Sequence, residues 1–173
     1  PFLVDVNPMV TGFVGDSPEI YKIVNREEAA GQIILFSEEP FSKEVSVEID
    51  PVNFLAALNH PYLSDNGQVS LSFQSDTKEY SAAVMILPNG KSGISIVSSS
   101  SPVVDAECTG SRLEYTVGQP GRQLVYWDKK NGRPQISGGG GAVIDVSEKD
   151  NRYEISVDVK KALGRVVLTG PEQ

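Results

Sequence analysis

One cysteine, one histidine and one tryptophan stand among the 173 residues of this chain. The lone Cys108 excludes an intramolecular disulfide and any cysteine-based metal cluster, so stability has to come from core packing. With His60 as the sole imidazole, a Ser-His-Asp site, a Cys-His pair or a histidine-rich metal site would each have to use that one residue. Long apolar runs are lacking as well. Ala82 to Leu87 is far short of the roughly 20 residues of a transmembrane helix, so no membrane span is expected. Pro1 to Asp5 reads as having neither the basic start nor the apolar stretch of a secretory signal. Cations are the minority charge, 15 Lys and Arg against 23 Asp and Glu for a net −8. That balance argues against general nucleic-acid binding, which draws its affinity from many Lys and Arg contacts to phosphate.

What is present is the composition of a folded soluble protein of one domain, 39% hydrophobic and 22% charged. Short segments carry apolar residues at every second position, the pattern of strands with one buried face. Val45, Val47 and Ile49 alternate with Ser46 and Glu48; Val69, Leu71 and Phe73 with Ser70 and Ser72; Tyr153, Ile155, Val157 and Val159 with Glu154, Ser156 and Asp158. Tyr80 to Leu87 reads as a central strand covered on both faces, and Ile20 to Val24, Gln32 to Phe36, Ile94 to Val97, Leu113 to Val117, Leu124 to Trp127, Ala142 to Val146 and Val166 to Thr169 as further strands. Pro88-Asn89-Gly90-Lys91 predicts a tight hairpin. One helix is expected at about 51–59, with Asp50 as cap, Pro51 at its first position, an apolar face of Val52, Leu55, Ala56 and Leu58, and Pro61 beyond its end. A weaker helical segment is Asn25 to Ala30. The expected architecture is mostly β, an antiparallel β-sandwich or distorted barrel with one short helix. Its core should hold Val47, Ile49, Leu55, Leu58, Val69, Leu71, Phe73, Val84, Ile86, Ile96, Ile155 and Val157. An extended apolar arm over residues 1–18 precedes a single β domain over 19–173. The runs Ser98 to Ser101 and Gly138 to Gly141 read as mobile loops.

Candidate motifs each meet a plainer reading. Gly90-Lys91-Ser92 lacks the glycine a phosphate loop places five positions earlier, where Met85 stands. Gly138 to Gly141 offers backbone N–H groups to an anion, but no helical pattern follows. His60 beside Pro61 suits the C-terminus of the expected helix, and Cys108, preceded by Asp105 and Glu107, suits an inert buried thiol. Asp105 and Glu107 share a strand face as a glycosidase pair would, yet such pairs are common on polar faces. Asp145, Ser147, Glu148 and Asp150 do not follow calcium-loop spacing and read as a solvated turn. No catalytic, cofactor-binding or metal site is assigned, no cofactor is expected, and the chain is expected not to be an enzyme.

Two groups remain as candidate partner contacts. Tyr126, Trp127, Lys129, Lys130 and Arg133 form the one place where aromatic and cationic residues meet, with one of the two rings facing inward if the segment is a strand. Phe2, Leu3, Val4 and Phe13 belong to the N-terminal arm, too apolar for a solvated tail and suited to lie on its own sheet or on a neighbouring subunit. The leading expectation is a structural or assembly protein that associates with itself or with another structural protein, as a virion, capsid-decoration or appendage component. The alternative is a ligand-binding β-sandwich for sugar, lipid or a membrane surface.

Two partial resemblances bear on function. Val45 to Pro88, read as strand, short helix and two strands, resembles a piece of a DNA sliding clamp through Val47-Glu48-Ile49-Asp50-Pro51-Val52 and Val69-Ser70-Leu71-Ser72-Phe73, over about a quarter of the chain. It implies a DNA-associated protein as a further alternative. Tyr80 to Ser98, with Ala82-Ala83-Val84 and Lys91-Ser92-Gly93, is similar to the core of actinoporin-like and haemolysin β-sandwiches, which implies membrane or sugar binding.

Overall fold

In the computed structural model, which describes residues 9–13, 20–25, 30–48, 54–65, 67–139 and 142–171, the alternating segments pair into two sheets. In chain order the strands are β1 (Met9–Phe13), β2 (Ile20–Asn25), β3 (Ala30–Ser37), β4 (Phe41–Glu48), β5 (Phe54–Leu58), β6 (Tyr62–Asp65), β7 (Gln68–Ser75) and β8 (Tyr80–Pro88). There follow β9 (Ile94–Ser99), β10 (Val103–Thr109), β11 (Arg112–Val117), β12 (Gly121–Asp128), β13 (Gln135–Gly139), β14 (Ala142–Glu148), β15 (Arg152–Val159) and β16 (Gly164–Thr169). A nine-stranded sheet runs β1-β2-β3-β8-β5-β10-β11-β16-β13, and a seven-stranded sheet runs β14-β15-β12-β9-β6-β7-β4. Neighbours are antiparallel except β5 and β10, which run parallel. Neither sheet closes on itself, so the architecture is a β-sandwich and not a barrel.

The register explains the core. Val45 lies opposite Leu71 and Val47 opposite Val69, so two alternating strands present one continuous apolar face. On the other half of the same sheet Val125 lies opposite Ile155. These side chains meet Val84, Ile86, Leu113, Tyr115 and Leu168 of the larger sheet in one buried cluster. Every expected core residue among the described side chains is buried; Ile49 lies outside the described residues.

The helix expected at 51–59 is corrected. Phe54 to Leu58 is strand β5, buried at all five positions, and Asp50 to Asn53 lie outside the described residues. A short apolar run fits a helix face and a doubly covered strand equally well, and here pairing with β8 and β10 settles it. The strand also replaces the helix on which the clamp resemblance drew. His60 therefore caps no helix: its Nδ1 meets the Pro61 carbonyl at 2.8 Å, and its ring lies 4.6 Å from that of Phe73. Asn25 ends β2 and Ala30 begins β3, with 26–29 outside the described residues.

The expected hairpin at Pro88 to Lys91 is a turn between sheets: β8 belongs to the larger sheet and β9 to the smaller. Gly90 and Lys91, not Asn89, take positive φ (61° and 64°), while the Asn89 carbonyl accepts from Ser92 N at 3.2 Å. β8 is central, but it is not covered on both faces: Val84 and Ile86 are buried on its inner face, while Ser81 and Ala83 on the other are exposed. Only half of the serine run is a loop: Ser98 and Ser99 end β9, Ser100 and Ser101 bend toward β10, and Ser99 and Ser101 are buried with the Ser99 hydroxyl donating to the Ser101 carbonyl at 2.6 Å. Gly138 and Gly139 end β13, and Gly140 and Gly141 lie outside the described residues. Asp145, Ser147 and Glu148 lie on β14 rather than in a turn.

Candidate functional site

Four chain connections converge at one end of the smaller sheet. Antiparallel register brings the β6–β7 turn, the start of β9, the end of β12 and the start of β15 to the same end, with Trp127 opposite both Ile94 and Tyr153, and Asp128 opposite Arg152. Between them opens a cleft of about 620 Å³, within the range of small-ligand sites. Asp65 and Gly67 come from the first connection, Asn89, Lys91 and Gly93 from the turn after β8, Asp128 and Lys130 from the end of β12, and Asn151 and Arg152 from the β14–β15 turn. Phe54, Ser64, Ser95, Val97 and Tyr126 complete the lining.

Part of this wall is fixed by internal bonds. Asp128 starts a 3-10 turn at Lys129–Asn131, its Oδ1 accepting from Lys130 N at 2.9 Å. That turn is stapled to the β8–β9 connection: Asp128 N donates to Gly93 O at 3.0 Å, Asn131 Nδ2 to Ser92 O at 2.8 Å and Lys130 Nζ to Lys91 O at 3.3 Å. Gly93 permits this approach, since a Cβ there would stand 2.7 Å from Asp128 Cβ and its φ is 74°. Asn89 uses both ends of its amide, donating to Ile94 O at 3.2 Å and accepting from Lys91 N at 2.8 Å. The Ser95 hydroxyl donates to Phe54 O at 2.6 Å. Arg152 lies 3.7 Å over the Tyr126 ring and donates to Glu154 Oε1 through Nε (3.2 Å) and Nη2 (2.8 Å), which fixes both lining side chains. In contrast, the side chains of Ser64, Asp65, Lys91 and Asn151 and the Tyr126 hydroxyl make no hydrogen bond or ion pair to any described residue.

The sequence-predicted contact residues separate. Tyr126 and Lys130 line the cleft. Trp127 is fully buried, with its Nε1 donating to Gly132 O at 3.0 Å, so the inward ring of the pair is Trp127 and it offers nothing to a partner of the folded chain. Lys129 turns away from the cleft: its Nζ pairs with Glu148 at 2.6 Å and sits 5.7 Å over the Tyr153 ring. The Lys129 hydrogen bond holds the Glu148 carboxyl below its ordinary range. Arg133 is exposed and does not line the cleft. Phe13 ends β1, which pairs along β2, while Phe2, Leu3 and Val4 lie outside the described residues. Nothing in the sequence singles out Asp65, Asn151 or Arg152, and Lys91 stands out there only in the Gly90-Lys91-Ser92 turn. They are far apart in the chain, and only the register of β6, β9, β12 and β15 brings them together.

Other reactive groups do not join this site. Cys108 donates to the Ser92 hydroxyl at 3.2 Å, and partial burial pushes its thiol up, away from a reactive thiolate. Asp105 and Glu107 are exposed on β10, opposite Thr116 and Glu114. Among the described residues no group of His, Cys, Asp and Glu side chains is arranged to hold a metal ion, and no helix is long and apolar enough to cross a membrane. No protein-family model matches the chain, and neither a curated protein nor a solved structure matches it.

Proposed function

We propose that this chain is a non-enzymatic structural or assembly protein that works by association, adding a strand from a second copy or from another structural protein to the rim of its smaller sheet. A virion, a capsid decoration or an appendage is the kind of assembly such a component serves. The observation that carries the reading is the contrast between that sheet's two rims. β4 is guarded: Lys43 lies opposite core residue Phe73, and a charge on the inner face of an edge strand discourages further pairing. β14 carries an inward charge only at its last position, where Glu148 lies opposite Tyr153 and is paired with Lys129. It pairs with β15 from Ala142 to Glu148, has no strand on its other side among those described, and sets half-buried Ile144 and Val146 against the core. An added strand would pair its open backbone and cover those two side chains. Val146→Lys copies the guard of β4 onto β14. It should lower the mass in solution while leaving the β circular dichroism unchanged; an unchanged oligomer in a folded variant contradicts the reading.

The cleft supports a second reading, a ligand-binding β-sandwich for sugar, lipid or a membrane surface. Its support is the set of polar side chains at the cleft that no described residue engages. Saccharide and liposome binding test it.

A further inference from the structure

Resting on that second reading, we infer that the cleft takes a saccharide, and a neutral one. Its charges balance: Lys91, Lys130 and Arg152 stand against Asp65, Asp128 and the Glu154 that holds Arg152. A polyanion gains little field from such a site, because the cations at Lys130 and Arg152 are already committed to neighbours. A lipid chain gains little too, since the apolar lining is confined to Phe54, Val97 and the Tyr126 ring. A sugar hydroxyl, by contrast, donates and accepts at once, and vicinal hydroxyls need donors and acceptors side by side.

The groups that no described residue engages have that mixture. The Asp65 carboxylate accepts, the Lys91 ammonium donates, and the Ser64 hydroxyl, Tyr126 phenol and Asn151 carboxamide do both. The committed groups hold the wall in place, so little ordering is asked of the chain when a ligand enters. The Arg152 guanidinium covers one face of the Tyr126 ring, and both side chains line the cleft that a pyranose ring would enter. Asp65, Lys91 and Asn151 are exposed and Ser64 and Tyr126 half-buried, so the selectivity comes from their spacing on a fixed frame rather than from one strong bond.

The test is amide NMR of the full chain titrated with maltotriose, cellotriose, chitotriose, mannotriose and xylotriose. Inorganic phosphate, a heparin tetrasaccharide and phosphatidylserine vesicles serve as comparators. At least one neutral trisaccharide should shift the amides of Ser64, Asp65, Lys91 and Asn151. Asp65→Asn and Lys91→Met, both at solvent-facing positions, should each weaken that binding about tenfold with the remaining spectrum unchanged. Silence from every neutral trisaccharide overturns the inference, as does binding that both variants leave intact. If the anionic comparators alone shift these amides, the saccharide is wrong and the ligand-binding reading stands; if no probe shifts them, both fall.

Discussion

Tyr62 and Tyr115 are both buried phenols, and they differ in hydrogen bonding. The Tyr62 hydroxyl donates to Ile96 O at 2.5 Å, whereas the Tyr115 hydroxyl has no partner among the described residues. Burial pushes both phenols above their ordinary range, so each stays protonated and the difference between them is one of hydrogen bonding. Tyr62→Phe should cost about 1 kcal/mol, the net worth of an ordinary hydrogen bond. Tyr115→Phe removes a hydroxyl that lost its water partners without replacement, so stability should be unchanged or rise by up to about 1 kcal/mol. Urea unfolding of the two variants checks the pair, and a larger loss for Tyr115→Phe than for Tyr62→Phe contradicts the bonding described.

Among the elements, those with one buried face were legible from the residues alone. β4, β7 and β15 alternate because water takes one side and the core the other, and that contrast is written into every second residue. β5 was not legible, because Phe54-Leu55-Ala56-Ala57-Leu58 is covered on both faces and loses the period that separates strand from helix. β6 has four residues and β13 ends in glycines, too little pattern for either to stand out. The cleft was legible only where its residues are close in sequence, at Tyr126 and Lys130. Lys91 looked like any turn cation and Arg152 like any connector residue, and their meeting is a product of tertiary register. The alternation of β7 makes a direct prediction. Leu71 is fully buried opposite Val45, so Leu71→Ala should lose about 2–5 kcal/mol in urea unfolding, and a neutral result contradicts the assigned face.

For the whole molecule, a net charge of −8 makes local pairing of carboxylates matter. The hydrogen bond from Arg112, at 2.9 Å, and the nearby Arg165 hold the Glu114 carboxyl below its ordinary 4.5, as Lys129 does for Glu148. With folded values below unfolded ones, the unfolded chain binds more protons across this interval, so stability rises with pH there. The contribution is fully present above the ordinary 4.5 and is lost as pH falls through the folded values. Both carboxylates are exposed, so the effect is small and reduced by salt. Glu114→Gln with Glu148→Gln should flatten the fall in urea midpoint between about pH 5 and about pH 3 relative to the parent chain; an equally steep fall in the double variant contradicts this assignment.

Association is the property on which the proposed function stands, and the open rim at β14 is where it is proposed to occur. The most direct measurement is the molar mass of the intact chain by light scattering over a wide range of concentration. The account predicts a species at a multiple of 18.7 kDa that dissociates on dilution or on Val146→Lys. A single species of 18.7 kDa at every concentration, with no mass gained from a structural partner, would contradict it.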